Sequence, residues 1–239
     1  MTDVGPHARR PALPLPSMPL HDPPMDLAVI RAAIVDLDGT MVDTLGDFEA
    51  ALNAVLHELR LPGIDRAFVA RTVGKGSEHL IRSTLVEVGA DAALYEQAWA
   101  LYQRRYLEVN GARSEVFPGV LEGLALFKSR GWRLACLTNK PTAFAVPLLR
   151  TKGLARFFDV VFGGDAFERK KPDPLPLVKT CEVFATPAAY TLVIGDSSND
   201  VQAARAAGCP VVLVNYGYNH GEPVGAAGAD RVIDRLDRL

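Results

Sequence analysis

Cysteine is scarce in this chain: Cys136, Cys181 and Cys209 are the only three among 239 residues. An odd number rules out a fully paired disulfide framework, and the spacings are not those of zinc ligands. Set among apolar neighbours, the three read as buried, reduced thiols of a cytosolic protein. Long apolar runs are missing too. None approaches the ~20 residues needed to cross a bilayer, and Arg9-Arg10 is followed by no apolar stretch of a secretory signal. The location expected is therefore cytoplasmic, with no membrane partner. Positive charge is not in excess either: 26 Lys and Arg stand against 28 Asp and Glu, a formal net charge of -2. Nothing in that balance can neutralise a phosphate backbone, so no nucleic-acid partner is expected.

Proline is plentiful in one place. Pro6, Pro11, Pro14, Pro16, Pro19, Pro23 and Pro24 punctuate residues 1–27, removing backbone donors where little apolar area is available for burial. This stretch is expected to be a disordered tail. Beyond it no internal repeat occurs, and the 49% hydrophobic content of the whole chain is that of a globular protein.

Short apolar runs rich in β-branched residues occur at 32–35, 133–137, 159–162, 191–194 and 211–214. Helical patterns between them, such as 120–129 ending near Gly131 and 200–207 ending at Gly208, predict an open α/β fold with a parallel sheet covered on both faces. About a hundred residues separate the first two strands, far more than a crossover needs. That stretch reads as helices. Leu45, Phe48, Leu52, Val55 and Leu59 share one face; Leu80, Ile81, Leu85 and Val88 share a second; Leu94, Trp99, Leu101, Tyr102 and Tyr106 share a third. A helical insertion at 44–114 would then divide the core into 28–43 and 115–239.

Three polar clusters follow apolar runs, Asp36-Leu37-Asp38-Gly39-Thr40, Leu137-Thr138-Asn139-Lys140 and Gly195-Asp196-Ser197-Ser198-Asn199-Asp200, with Lys171-Pro172 between the last two. In an open α/β sheet ligands bind beyond the carboxyl ends of the strands, so Asp36, Thr138 and Asp196 should gather along one edge. A carboxylate that attacks a phosphate dianion needs positive charge to offset the repulsion. Asp36 and Asp196 can supply oxygen ligands to Mg²⁺, with Asp200 behind them or capping its helix, and Lys171 can add a point charge. Asp36 suits the nucleophile and Asp38 the proton carrier. Gly39 permits close backbone approach, while the Thr138 hydroxyl, with backbone N–H groups nearby, can hold the transferring group.

In order and spacing these motifs resemble the haloacid dehalogenase superfamily, and within it the phosphoglycolate phosphatases. The resemblance covers residue 32 to about residue 235. It implies a Rossmann-like core, a helical cap inserted after the first strand, and Mg²⁺-dependent hydrolysis of a small phosphorylated metabolite through an aspartyl-phosphate on Asp36. Asp38 would protonate the leaving alkoxide and then activate water. By the same resemblance Asp36, Asp38, Asp196 and Asp200 form the metal centre, Asp36, Asp38, Thr138 and Lys171 are catalytic, and Gly39, Thr138 and Asn139 bind substrate. The segment Thr72-Val73-Gly74-Lys75-Gly76 is similar to a loop that closes over substrate, and Lys75 with Arg71 could meet a substrate carboxylate. The segment from Asn215 to Gly221 is similar to one that follows the last core strand in bacterial phosphoglycolate phosphatases. His57, His79 and His220 lack metal-ligand partners and read as surface or packing residues. A monomer or homodimer is expected. The readings that compete are a phosphatase of another metabolite such as a sugar phosphate, and a β-phosphoglucomutase-like phosphomutase.

Overall fold

The protein is described here from a computed structural model covering residues 25–239. The tail expected at 1–27 lies, up to residue 24, outside the described residues. Chain order begins with β1 (Ala32–Val35), β2 (Val42–Asp43) and four helices, α1 (Leu45–Glu58), α2 (Arg66–Thr72), α3 (Ser77–Glu87) and α4 (Tyr95–Val109). It continues through β3 (Glu115–Val116), α5 (Val120–Ser129), β4 (Arg133–Leu137), α6 (Thr142–Thr151), β5 (Val160–Phe162) and α7 (Leu175–Phe184). The last elements are β6 (Thr191–Gly195), α8 (Ser198–Ala207), β7 (Val211–Val214) and β8 (Arg231–Ile233).

Six strands form one parallel sheet in the order β5-β4-β1-β6-β7-β8. Strand side chains alternate between faces, and the core divides accordingly. Ala33 and Val35 pack with α5 and α6 through Val120, Leu124, Phe127, Leu148 and Leu149. Ala32 and Ile34 pack with α7 and α8 through Leu177, Phe184, Val201 and Ala204. Because both faces are covered, the four residues of β1 and of β7 are all buried, which is why these strands read as continuous apolar runs.

The chain first moves outward from β1 to β4 and β5, then crosses back to β6 on the other side of β1. Val35 is level with both Cys136 and Ile194. The residues after β1, β4 and β6 therefore emerge together at the point where strand order reverses, which is where an open α/β sheet leaves a crevice.

The insertion folds on a core of its own. Phe48, Leu52, Val55, Val69, Leu80, Ile81, Leu85, Tyr102 and Tyr106 pack together and reach the sheet domain through Phe144 of α6. Its two chain crossings are joined by a β2–β3 antiparallel pair, Val42 with Val116 and Asp43 with Glu115. The buried carboxylate of Asp47 accepts from the backbone N–H groups of Gly111 at 2.8 Å and Arg113 at 2.7 Å, tying the returning chain to α1. The periodicity argument misses three strands. β2 and β3 have two residues each, too few for a period of two to register, and β8 is a short edge strand with Arg231 and Val232 exposed.

Candidate active site

Asp36 leaves β1, Asp196 leaves β6, and Asp200 lies in the first turn of α8. One carboxylate oxygen from each falls within 4.8 Å of the others. Lys171 faces this group, with Nζ 3.0 Å from Asp36 Oδ1 and 2.7 Å from Asp200 Oδ1, and it also donates to the Leu137 carbonyl at 3.1 Å. Asp200 uses its other oxygen to accept from the Ser197 amide and hydroxyl, so it both closes the start of the helix and holds the lysine. Burial pulls the Lys171 ammonium down, but the carboxylates of Asp200 and Asp36 outweigh it and hold its pKa above the ordinary lysine value.

Three buried carboxylates face one ammonium, leaving two uncompensated negative charges. Burial, reinforced by the charges of Asp200 and Asp36, pushes Asp196 up to about 8. Burial likewise raises Asp36 to about 6 against the pull of Lys171. Asp36 Oδ1 is enclosed and, apart from the ion pair, accepts no well-directed hydrogen bond. An all-oxygen donor set with this charge deficit fits a hard divalent cation held by Asp36, Asp196 and Asp200. Two glycines make room for it. A Cβ on Gly39 (φ +82°) would stand 2.4 Å from Asp196 Oδ2, and one on Gly217 would stand 2.2 Å from Asp196 Cβ. Gly39 thus clears space for a carboxylate rather than lining the cavity, which departs from the substrate contact expected of it.

Asp38, expected among the metal ligands, has its carboxylate elsewhere. Its Oδ1 accepts from the Thr44 hydroxyl at 2.8 Å and from Lys140 Nζ at 2.9 Å. In a continuing strand residues two apart would share a face, but β1 ends at Val35, and beyond it the contacts with Thr44 and Lys140 hold the Asp38 carboxylate. Lys140 also donates to the Tyr106 hydroxyl at 2.6 Å and lies over the rings of Phe48 and Tyr106, 4.2 and 4.6 Å from their centroids. Its side chain is 1% exposed. Burial lowers the pKa of this ammonium, opposed by Asp38. Burial, with the charge of Asp38 nearby, raises the Tyr106 phenol well above its usual value. Lys140, Thr44, Phe48 and Tyr106 were not singled out from sequence. Lys140 closes a polar cluster already recognised, whereas Phe48 and Tyr106 look like ordinary members of apolar helix faces.

A cavity lies between the core and the insertion. The core contributes Asp36, Asp38, Thr138, Asn139 and Lys140; the insertion contributes Phe48, Val73, Gly74, Gly76, Ser77 and Leu80. The glycine-bearing loop does close over the site. Gly74 (φ +109°) turns its carbonyl toward the core, where it accepts from Asn139 Nδ2 at 2.9 Å and Asn199 Nδ2 at 3.2 Å. His220 backs this contact, its Nε2 3.1 Å from Asn199 Nδ2 and its ring against Gly74.

Lys75 and Arg71 do not reach the cavity. Lys75 is exposed on the outer side of the loop. Arg71 pairs with Glu87 at 2.9 Å and covers the Phe68 ring. The segment after β7 does more than sequence suggested. The Tyr218 amide donates to Asp196 Oδ2 at 2.7 Å, and its hydroxyl accepts from the Thr44 amide and donates to Asp43. Asn219 accepts from the Ser198 amide. One strap therefore touches Asp196, the junction of β2 with α1 and, through His220 and Asn199, the Gly74 loop.

Residues 33–214 match the family model described as haloacid dehalogenase-like hydrolase. The chain is 44% identical over 210 residues to the phosphoglycolate phosphatase of Thiobacillus denitrificans, covering 87% of this chain and 92% of that one. It is 43% identical over 209 residues to the plasmid-borne phosphoglycolate phosphatase of Cupriavidus necator, covering 87% and 90%. The crystal structure of a predicted phosphoglycolate phosphatase from Haemophilus somnus superposes with a TM-score of 0.83 at 30% identity, covering 87% of this chain and 96% of that one.

Proposed function

The chain belongs to the haloacid dehalogenase-like hydrolases, and we propose that within them it hydrolyses 2-phosphoglycolate to glycolate and phosphate. It is a phosphoric monoester hydrolase. The observation that carries the reading is the division of labour between two aspartates two residues apart. Asp36 sits in the charge-deficient acidic group, and Asp38 sits on a lysine and a threonine at the mouth of the same cavity.

Asp36 is the nucleophile, forming the bond to phosphorus as the ester oxygen leaves. Asp36, Asp196 and Asp200 would hold Mg²⁺, which when bound would supply the positive charge that offsets the repulsion between a carboxylate and a dianionic phosphoryl group. Lys171 adds to that charge and keeps Asp36 and Asp200 from repelling one another. Asp38 gives a proton to the departing alkoxide and takes one from the water that cleaves the aspartyl-phosphate. The Thr138 hydroxyl and the backbone around Asn139 hold the phosphoryl oxygens, and the Gly74 loop excludes water during transfer. Asn139 contributes to binding by fastening that loop as well as by lining the cavity.

Phosphate release measured over a panel of small phosphorylated metabolites, with and without Mg²⁺, tests the proposal. The highest kcat/KM is expected for 2-phosphoglycolate. Faster turnover of a hexose phosphate, or dependence on a bisphosphorylated activator without net phosphate release, would refute it.

A further inference from the structure

We infer that Lys140 is the receptor for the carboxylate of the leaving group, the residue by which the enzyme selects a small phosphorylated acid over a neutral ester of the same size. The inference rests on the substrate class proposed above and assigns the residue that reads it.

The two lysines in this region differ in what they have left to offer. Lys171 has three oxygen neighbours, on Asp36, Asp200 and Leu137, one for each N–H of an ammonium. Lys140 lines the cavity and has two, Asp38 Oδ1 and the Tyr106 hydroxyl. Its third N–H has no oxygen acceptor among the described residues; the remaining neighbours are the aromatic faces of Phe48 and Tyr106. A buried ammonium with an unfilled donor beside a cavity is a built site for an anion.

Position supports the same assignment. If Asp38 touches the ester oxygen, a group hydrogen-bonded to Asp38 at 2.9 Å is one contact further from phosphorus. In 2-phosphoglycolate a single methylene separates the ester oxygen from the carboxylate, so the acid falls in reach of Lys140. A second observation lies behind it. The buried Tyr102 hydroxyl lies beside Ser77, which lines the cavity. Ser77 and Lys140 line the same cavity, together with the apolar side chains of Phe48, Val73 and Leu80. Arg71 and Lys75, the cations suggested by the loop sequence, stand outside it.

The test compares 2-phosphoglycolate with ethyl phosphate, which replaces the carboxylate by a methyl group, on the wild type and on Lys140→Met. Both substrates should suffer in the variant because Asp38 loses a partner. The ratio of their kcat/KM values should collapse by a further 10- to 100-fold, roughly the contribution of a hydrogen bond to a charged group. A wild-type enzyme with no preference for phosphoglycolate would refute the substrate reading itself. A wild-type preference that survives Lys140→Met would overturn the assignment of Lys140 and leave that reading standing. Should the variant fail to fold, a crystal of the wild type with 3-phosphonopropionate, the unreactive methylene analogue, decides the matter. A carboxylate oxygen within about 3.2 Å of Lys140 Nζ supports the assignment, and one beyond about 4 Å overturns it.

Discussion

Two buried lysine–aspartate pairs flank the cavity, and they are built to different ends. Lys171 pairs with Asp36 inside the core domain, together with Asp200 and beside Asp196. Lys140 pairs with Asp38 at the seam between the core and the helical insertion, with Tyr106 and Phe48 reaching across from α4 and α1. Both ammonium groups are almost fully enclosed. Yet burial wins at Lys140 and lowers its pKa, while the carboxylates win at Lys171 and raise it. The same residue types, two positions apart on the aspartate side, thus make one region with surplus negative charge and one that is balanced. The first suits a divalent cation and a phosphoryl group. The second suits proton transfer and recognition of what leaves, and the insertion supplies two of its members, Phe48 and Tyr106.

The sharpest way to break this contrast is to disable each aspartate in turn. Asp36→Asn should lower kcat by at least about a thousandfold, the usual consequence of losing a covalent catalyst. Its Tm should stay within a few degrees, because the amide preserves volume and relieves like-charge crowding. Activity above about a hundredth of wild type would remove Asp36 from the nucleophile's role. Asp38→Asn should cost about 10²- to 10⁴-fold on alkyl phosphates, the range for general acid–base groups, and distinctly less on p-nitrophenyl phosphate, whose leaving group departs without a proton. Equal losses on both esters would contradict the acid role.

Removing the lysines should separate the regions by stability. Lys171→Met strands three buried carboxylates and should cost about 3–5 kcal/mol. Lys140→Met leaves Asp38 with Thr44 still donating to it, so about 1–3 kcal/mol is expected. Added Mg²⁺ should restore melting temperature in the Lys171 variant and do little for the Lys140 variant, since a ligand stabilises only the fold that binds it. Thermal melts with and without the ion check this, and equal recovery in both would erase the distinction. A smaller effect belongs to the loop. Asn199→Ala removes one of two side-chain donors to the Gly74 carbonyl and should raise KM by about 3- to 10-fold, about 1 kcal/mol, with little change in Tm. An unchanged KM would mean that Asn139 alone holds the loop.

How much of this was legible in sequence depended on how local the cause is. The core strands announce themselves because burial on both faces makes them continuously apolar. Asp36, Thr138, Asp196 and Asp200 are recognisable because each lies in a polar cluster that follows such a strand, and Lys171 because its Lys-Pro pair stands between two of those clusters. What stayed hidden depends on contacts across long separations. Asp38 was grouped with the acidic ligands because spacing alone cannot reveal that Lys140, 102 residues on, draws its carboxylate away. Lys75 and Arg71 carry the right charge for a substrate acid, but helix geometry turns Arg71 to Glu87 and leaves Lys75 in solvent. Tyr106 was read as packing, and it does pack, but its hydroxyl also meets Lys140. The strap through Tyr218 had only a similarity in its favour. Its part in joining Asp196 to the junction of β2 with α1 emerges from backbone and phenol contacts that no residue pattern encodes.

The central claim is that the phosphoryl group passes through the charge-deficient region on Asp36 while Asp38 handles protons. Its most direct test is to quench the enzyme in acid during turnover of 2-phosphoglycolate with Mg²⁺, reduce it with borohydride, and map the peptides by mass spectrometry. An acyl phosphate is reduced to an alcohol, so homoserine is predicted at position 36 and nowhere else. Homoserine at position 38, 196 or 200, or none at any aspartate while phosphate is being released, would contradict the account.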